Sequence, residues 1–246
     1  MVHDAALVDD VRRRLAGAAD PDRAPAMQAY MKSAMPFHGV PSPVARRLLR
    51  EAFAEHPLDD RATWTATVLS LWDGATHREE RYAALALARH RRYRAYLDPQ
   101  VLPLLEHLVR TGAWWDLVDD IASHLVGPVL LAHHDETAPV VRTWATDSDR
   151  WLRRTAVICQ LGAKDRADVT LLAEAIDANL DDRDFFLRKA IGWALRQHAR
   201  VDPGWVRTFV ADRDDRLSPL SRREALKHLV DVGVPLHERP SAAGQA

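Results

Sequence analysis

The sequence predicts an all-α protein: a HEAT-like repeat α-solenoid in which helical pairs stack into a curved superhelix with a concave basic groove. Three observations lead to this class. Apolar residues recur with the 3.6-residue period of amphipathic helices along nearly the whole chain. Apolar–polar alternation and the hairpin turns that would join alternating strands are missing. Similar segments also return every 34–38 residues, a period typical of stacked helical pairs.

The apolar spacing predicts thirteen helices, and several of them carry start or stop signals. Ser42, Asp98 and Ser218 each precede a proline, an order that favours a side-chain cap followed by the first helical turn. Gly112 and Gly162 follow helical runs and indicate helix ends. The predicted helices cover residues 4–17, 22–33, 43–55, 61–72, 77–91, 98–111, 114–131, 136–146, 149–162, 167–179, 183–199, 203–212 and 219–230.

Composition restricts the class of protein further. We expect one domain over residues 1–237 and a disordered tail over 238–246, where small and polar residues dominate. The single cysteine, Cys159, excludes a disulfide framework and reads as a buried, inert thiol. No apolar run approaches the roughly 20 residues of a membrane span, and acidic residues interrupt the N-terminal segment, which disfavours a signal peptide. These features predict a cytoplasmic protein.

Net charge neither requires nor excludes a nucleic-acid partner. The chain has 34 Lys+Arg against 35 Asp+Glu, a formal charge of −1. Residues 150–229, however, contain 16 Lys+Arg against 12 Asp+Glu, so positive charge is concentrated in the second half. The distribution of charge therefore permits binding to phosphates.

The repeats place chemically distinctive residues at one equivalent position. Residues 151–156 (WLRRTA) resemble residues 186–191 (FLRKAI) at an offset of 35, and the pattern continues into 221–226. Stepping through the repeats predicts a row down one face of the solenoid. The row consists of Arg81, Asp119, Arg154, Lys189 and Arg223.

Two tryptophans join this row. Trp115 precedes Asp119 by four residues and Trp193 follows Lys189 by four, and a spacing of four places both members of a pair on one helical face. Cations bind phosphates, nearby positive charge should keep Asp119 ionised, and a carboxylate can stabilise an oxocarbenium ion and orient water. Indole faces attract positive charge. Ordinary structural explanations compete: core packing for the tryptophans, solvated faces for the cations and a helix cap for Asp119.

At these positions the sequence resembles the AlkD-type DNA alkylation repair enzymes, which are HEAT-like repeat alkylpurine DNA glycosylases. The resemblance runs from about Asp9 to Leu229. Its motifs are YMK at 30–32, FHGV at 37–40, PVARR at 43–47, WWDLVDDI at 114–121, WLRRTA at 151–156, FFLRKAIGWALR at 185–196 and LSPLSRREA at 217–225.

The resemblance implies excision of cationic lesions such as 3-methyladenine and 7-methylguanine from duplex DNA, with no metal or cofactor and no tight base flipping. Asp119 would be the catalytic carboxylate, Trp115 and Trp193 the walls beside the deoxyribose, and Arg154 a phosphate clamp. An open groove would also admit bulky N3 or N7 adducts. The residues expected to contact DNA are Arg154, Arg153, Lys189, Arg188, Arg81, Arg223 and Tyr30.

Two alternatives remain open at the level of sequence. A non-catalytic HEAT-repeat scaffold could bind DNA or protein through the same face, but a central carboxylate such as Asp119 would repel phosphates in it. A metal hydrolase is suggested only by the 12 histidines, which lack ligand spacings such as His-Glu-x-x-His. We therefore expect a monomer that acts on double-stranded DNA in the nucleoid, and no metal.

Overall fold

The computed structural model describes residues 2–229, and within that range the chain is helical with no β-strand. The predicted tail at 238–246 lies outside the described residues. The α-helices are α1 (Ala5–Gly17), α2 (Ala24–Met31), α3 (Ser42–Glu55), α4 (Arg61–Asp73), α5 (Arg78–Ala88), α6 (Leu102–Gly112), α7 (Trp115–Ile121), α8 (Gly127–Ala132), α9 (His134–Ala145), α10 (Arg150–Ile158), α11 (Val169–Asp177), α12 (Phe185–His198), α13 (Pro203–Ala211) and α14 (Pro219–Ala225). Short 3₁₀ turns cover Arg91–Tyr96, Pro99–Val101 and Lys164–Arg166.

The helices pack in two rows, as stacked helical pairs do. In what we call the site row, α3, α5, α7, α10, α12 and α14 each pack on the next. The second row consists of α1, α4, α6, α9, α11 and α13, which alternate with them along the chain. Because equivalent helices are neighbours, the predicted HEAT-like α-solenoid is confirmed.

Capping side chains account for several helix starts. Ser218 Oγ accepts from the Ser221 backbone N–H at 3.0 Å and begins α14 as predicted. Asp98 accepts from the Gln100 N–H at 3.0 Å, but the turn it begins is a 3₁₀ turn that leads into α6. The predicted cap at Ser42 is wrong. The extended residue before α3 is Pro41, so Ser42 is already helical, and no side chain caps this helix.

The described residues share one apolar core. One cluster of buried apolar residues runs from Leu7 to Ala225. The prediction of one domain over residues 1–237 extends past the described residues and stays a prediction. Burial raises the pKa of the Cys159 thiol to about 12, as expected of an inert core cysteine. Among the described residues, no helix is both long and apolar enough to span a bilayer.

The segment predicted as one helix at 114–131 is interrupted. A π-helical turn, Ala122–Val126, separates α7 from α8. Directly after it, a Cβ on Gly127 would lie 2.4 Å from the carbonyl oxygen of Cys159. Only glycine permits this approach of α10 to the start of α8. The π turn and Gly127 therefore lie directly after α7, the helix of Asp119, which packs on α10.

Candidate functional site

Asp119 lies one turn into α7, and its carboxylate is paired with Arg154 of the neighbouring helix α10. Nε of Arg154 donates to Oδ1 at 2.7 Å and Nη2 donates to Oδ2 at 2.8 Å. The side chain of Asp119 is 16% exposed and that of Arg154 is 6% exposed. A bidentate pair fixes both the position and the orientation of a carboxylate. The repeat register thus brings residues 119 and 154 into direct contact.

Burial and charge act on Asp119 in opposite directions. Burial raises the pKa of Asp119, the hydrogen bonds and charge of Arg154 lower it, and the nearby Asp116 raises it. Burial is the largest of these effects. Arg154 favours the ionised form of Asp119, as expected of a nearby cation, but burial opposes it and the net shift of the pKa is upward.

Arg154 is the junction of three helices. Besides the two bonds to Asp119, its Nη1 donates to the backbone carbonyl oxygen of Phe186 at the start of α12. A guanidinium carries five N–H donors, so two remain for another acceptor. The predicted phosphate contact of Arg154 stays a prediction, and any such contact would use those two donors.

A second carboxylate at the start of α7, that of Asp116, was not predicted from the sequence as part of the site. Asp116 accepts a hydrogen bond from the Tyr82 hydroxyl at 2.6 Å and forms an ion pair with Arg78, both on α5. Burial raises the pKa of Tyr82, and the charge of Asp116 raises it further. The repeat spacing could have identified this pair, because the offset from residue 78 to residue 116 equals the offset from residue 81 to residue 119. This network ties the first turn of α7 to α5.

The aromatic residues divide into walls and anchors. Trp115 and Trp193 are half-buried and pack against the edge of the core, which leaves part of each indole in solvent. Trp114, in contrast, donates from Nε1 to the Met31 carbonyl oxygen at 2.8 Å. That bond fixes the end of α2 against the start of α7, and the adjacent Tyr30 side chain is 81% exposed.

The cations of the row are more strongly paired than the sequence suggested. Lys189 pairs with Glu224 of α14 at 3.1 Å. Arg81 lies over the Trp72 ring at 4.9 Å and donates to the Thr111 carbonyl oxygen at 3.0 Å, and burial lowers the pKa of Arg81. Within residues 2–229, only Arg223 of this row is exposed without an acidic partner.

The two arginines predicted beside the row have different surroundings. Arg153 donates to the carbonyl oxygens of Asp147 at 2.6 Å and Ser148 at 3.0 Å, and it pairs with Asp182 at 2.9 Å. It therefore closes the loop before α10. Arg188 is half-buried, and its Nε has no hydrogen-bond partner among the described residues. Contacts of either residue with DNA stay predictions.

Metal-ligating side chains also cluster, but away from Asp119. Within residues 2–229, one candidate group is His38, His77 and Glu80, and the other is Asp10, Glu55 and His56. The rings of His38 and His77 are stacked, with centroids 3.7 Å apart and planes at 12°. Nearly parallel, separate ring planes cannot both contain one ion, so this arrangement does not suit a shared metal.

The fold and this site define a class: helical-repeat proteins whose site row carries an arginine-paired carboxylate and two half-buried tryptophans. A family model described as DNA alkylation repair enzyme matches residues 11–229, so the chain belongs to this family. A solved structure named "Predicted DNA alkylation repair enzyme from Enterococcus faecalis" is 29% identical, with a TM-score of 0.76, and the match covers 87% of this chain and 97% of that one. No curated protein matches the sequence. The resemblance stated from the sequence is confirmed.

Proposed function

We propose that the protein is a monofunctional DNA glycosylase that hydrolyses the N-glycosidic bond of cationic alkylated purines in duplex DNA. The observation that carries this proposal is the Asp119 carboxylate, which Arg154 holds by two hydrogen bonds while part of its surface stays exposed. A role in DNA alkylation repair follows from the family. The reaction and its residues rest on the chemistry of the site.

The reaction needs little from the leaving group. An alkylated purine such as 3-methyladenine or 7-methylguanine carries a positive charge. When its bond to C1′ breaks, the bonding electron pair goes to the base, which leaves neutral. No general acid is required. The sugar becomes an oxocarbenium ion, and an adjacent carboxylate stabilises that charge. Asp119 would do so, orient a water towards C1′ and accept a proton as the C1′–O bond forms.

Pairing with Arg154 makes the Asp119 carboxylate suitable for stabilising an oxocarbenium ion. Arg154 fixes the two oxygens, so little reorganisation is needed when positive charge develops on the sugar. The incomplete burial of Asp119 leaves access for a nucleoside.

Trp115 and Trp193 would supply the walls of the site. Both indoles are partly exposed, and an indole face attracts a cation by about 0.5–2 kcal/mol depending on desolvation. Such walls favour a cationic lesion and its deoxyribose over a neutral nucleotide. They need no enclosed pocket, and so bulky N3 or N7 adducts also fit the proposal. We propose that the protein acts as a monomer.

The second candidate function is a non-catalytic DNA- or protein-binding scaffold, which the extensive pairing of the row cations favours. A scaffold gains nothing from a carboxylate that faces the DNA. The two functions therefore differ in what the loss of the Asp119 charge would do.

The deciding experiment is release of 7-methylguanine from methylated duplex DNA under single-turnover conditions. We expect Asp119→Asn to slow release by about 100-fold or more, the scale seen when one electrostatic group is lost from an active site. Binding to undamaged DNA should change little. Asp120→Asn is the matched control, because Asp120 is the next residue, is also paired with an arginine, Arg89 at 2.7 Å, and should leave release nearly unchanged. Wild-type rates in Asp119→Asn would remove the proposal.

A further inference from the structure

The 3₁₀ turn Arg91–Tyr96, which follows α5, has a strict three-residue pattern. A 3₁₀ helix has three residues per turn, so residues three apart share a face. His90, Tyr93 and Tyr96 form the inward face: Tyr93 is 1% exposed, and the rings of Tyr93 and Tyr96 are stacked at 6.0 Å. The other two faces, which carry Arg91, Arg92 and Arg94, are exposed.

Aromatic packing holds this turn in place. The Tyr93 hydroxyl accepts from the Leu58 backbone N–H at 2.9 Å, and the Tyr96 ring lies 5.5 Å from that of Trp64. His90 packs edge-on against Phe53 at 5.7 Å. The three arginines therefore project from a well-packed backbone, which needs little ordering when their side chains bind a ligand.

These arginines differ from most others in the protein. No carboxylate of residues 2–229 lies within ion-pair distance of Arg91, Arg92 or Arg94, whereas arginines of both rows are paired with acids of neighbouring repeats. Burial lowers the pKa of His90, and the charges of Arg92 and Arg91 lower it further. The turn thus presents three positive charges within four residues.

The location of the turn connects it to the site row. Arg89, two residues before the turn begins, pairs with Asp120 of α7 at 2.7 Å. Asp120 is the residue next to Asp119, and His124 lies one turn further on with its side chain 61% exposed. The arginine turn is therefore at the C-terminal edge of α5, beside the helix that carries the proposed catalytic carboxylate.

We propose that Arg91, Arg92 and Arg94 form a second phosphate-binding surface, which holds the backbone of undamaged duplex flanking the lesion. The proposal rests on the DNA substrate of the proposed function. Arg91 and Arg94 lie on one face about 6 Å apart along the turn, which suits neighbouring phosphates of one strand. A surface of this kind would let a chain of net charge −1 bind DNA while Arg154 and Lys189 stay paired with acids.

The test is the salt dependence of binding to an undamaged duplex. Each neutralised phosphate contributes about −0.9 to the slope of log affinity against log salt. The variant Arg91→Ala/Arg92→Ala/Arg94→Ala should reduce the magnitude of the slope by about 2.7. Between 50 and 200 mM salt, wild type should then lose about 40-fold more affinity than the variant. The variant with lysine at all three positions should keep the wild-type slope, because lysine binds phosphate as a point charge.

A matched control separates local contacts from overall charge. Arg110→Ala/Arg142→Ala/Arg216→Ala removes the same formal charge from arginines that are paired with acids. An equal change of slope in this control, or an unchanged slope in the first variant, overturns the proposal. Base release at saturating protein reports separately on the proposed function. If the first variant keeps the wild-type salt slope while the wild-type protein releases the base, only the proposal for the arginine turn is refuted. If the slope changes as expected but the wild-type protein releases no base, only the proposed glycosylase function is refuted.

Discussion

Removal of the Arg154 side chain tests the central pair most directly. In Arg154→Ala, Asp119 would keep its desolvated position but lose both charge-assisted hydrogen bonds. Breaking a buried ion pair by removing one partner costs about 3–5 kcal/mol. Asp119 retains 16% exposure, so we expect the lower end, a loss of about 3 kcal/mol in the free energy of unfolding. For a chain of this size that corresponds to roughly 6–12 °C in Tm.

A double-mutant cycle with Asp119→Asn isolates the pairwise interaction from other effects of truncation. Residues in direct contact couple by about 0.5–3 kcal/mol, whereas independent sites add within about 0.5 kcal/mol. We expect the double variant to lose at least about 2 kcal/mol less than the sum of the single variants, measured by denaturant unfolding. Additive losses, or a loss below about 1 kcal/mol in Arg154→Ala, would show that the pair is not the buried contact described above.

The same variant has a signed dependence on pH. Burial raises the pKa of Asp119 above its ordinary value of 3.8, and loss of Arg154 removes the main opposing effect. A carboxyl with a raised pKa in the folded state binds more protons folded than unfolded, so stability falls as pH rises through that window. The deficit of Arg154→Ala relative to wild type should therefore shrink in acid and grow towards neutral pH.

Two further predictions concern the site and its frame. Base release should fall as the pH is lowered, because the reaction needs ionised Asp119 and burial raises the pKa of Asp119. We expect half of the rate to be lost at a pH above 3.8, the ordinary pKa of an aspartate. A single-turnover pH profile that stays flat down to pH 3.8 would contradict this. Gly127→Ala should lose about 1–3 kcal/mol of stability, because its Cβ would lie 2.4 Å from the backbone oxygen of Cys159, directly after α10. Thermal unfolding checks this against Gly162→Ala, where no atom lies within 4 Å and the change should stay within about 0.5 kcal/mol; equal effects would refute the packing argument.

The periodicity of apolar residues predicted most of the fold. Each of the thirteen predicted helices overlaps a helix of the structure, because apolar spacing and burial report the same face. The repeat offset of 35 also placed Asp119 beside Arg154. The π turn after α7 was not predicted, and the close approach at Gly127 that follows it is a contact with Cys159, a residue distant in sequence.

The charges of the site were harder to predict than its positions. The repeat spacing predicts that Arg81, Arg154 and Lys189 occupy equivalent positions, but it does not predict where each flexible side chain points. Arg81 turns to Trp72, Arg154 to Asp119 and Lys189 to Glu224. The pKa of Asp119 was likewise beyond the sequence, because the extent of its desolvation depends on packing between α7 and α10.

The pairing of charges between adjacent repeats limits how this protein can be altered or diversify. The acid that balances Arg78 belongs to the following repeat, as do the acids that balance Arg110, Arg142 and Lys189. Excising or duplicating one helical pair would leave unmatched charges at the new junction. Solenoids with interchangeable modules can grow or shrink by whole units, whereas here the charge pairs between repeats favour the existing order of units.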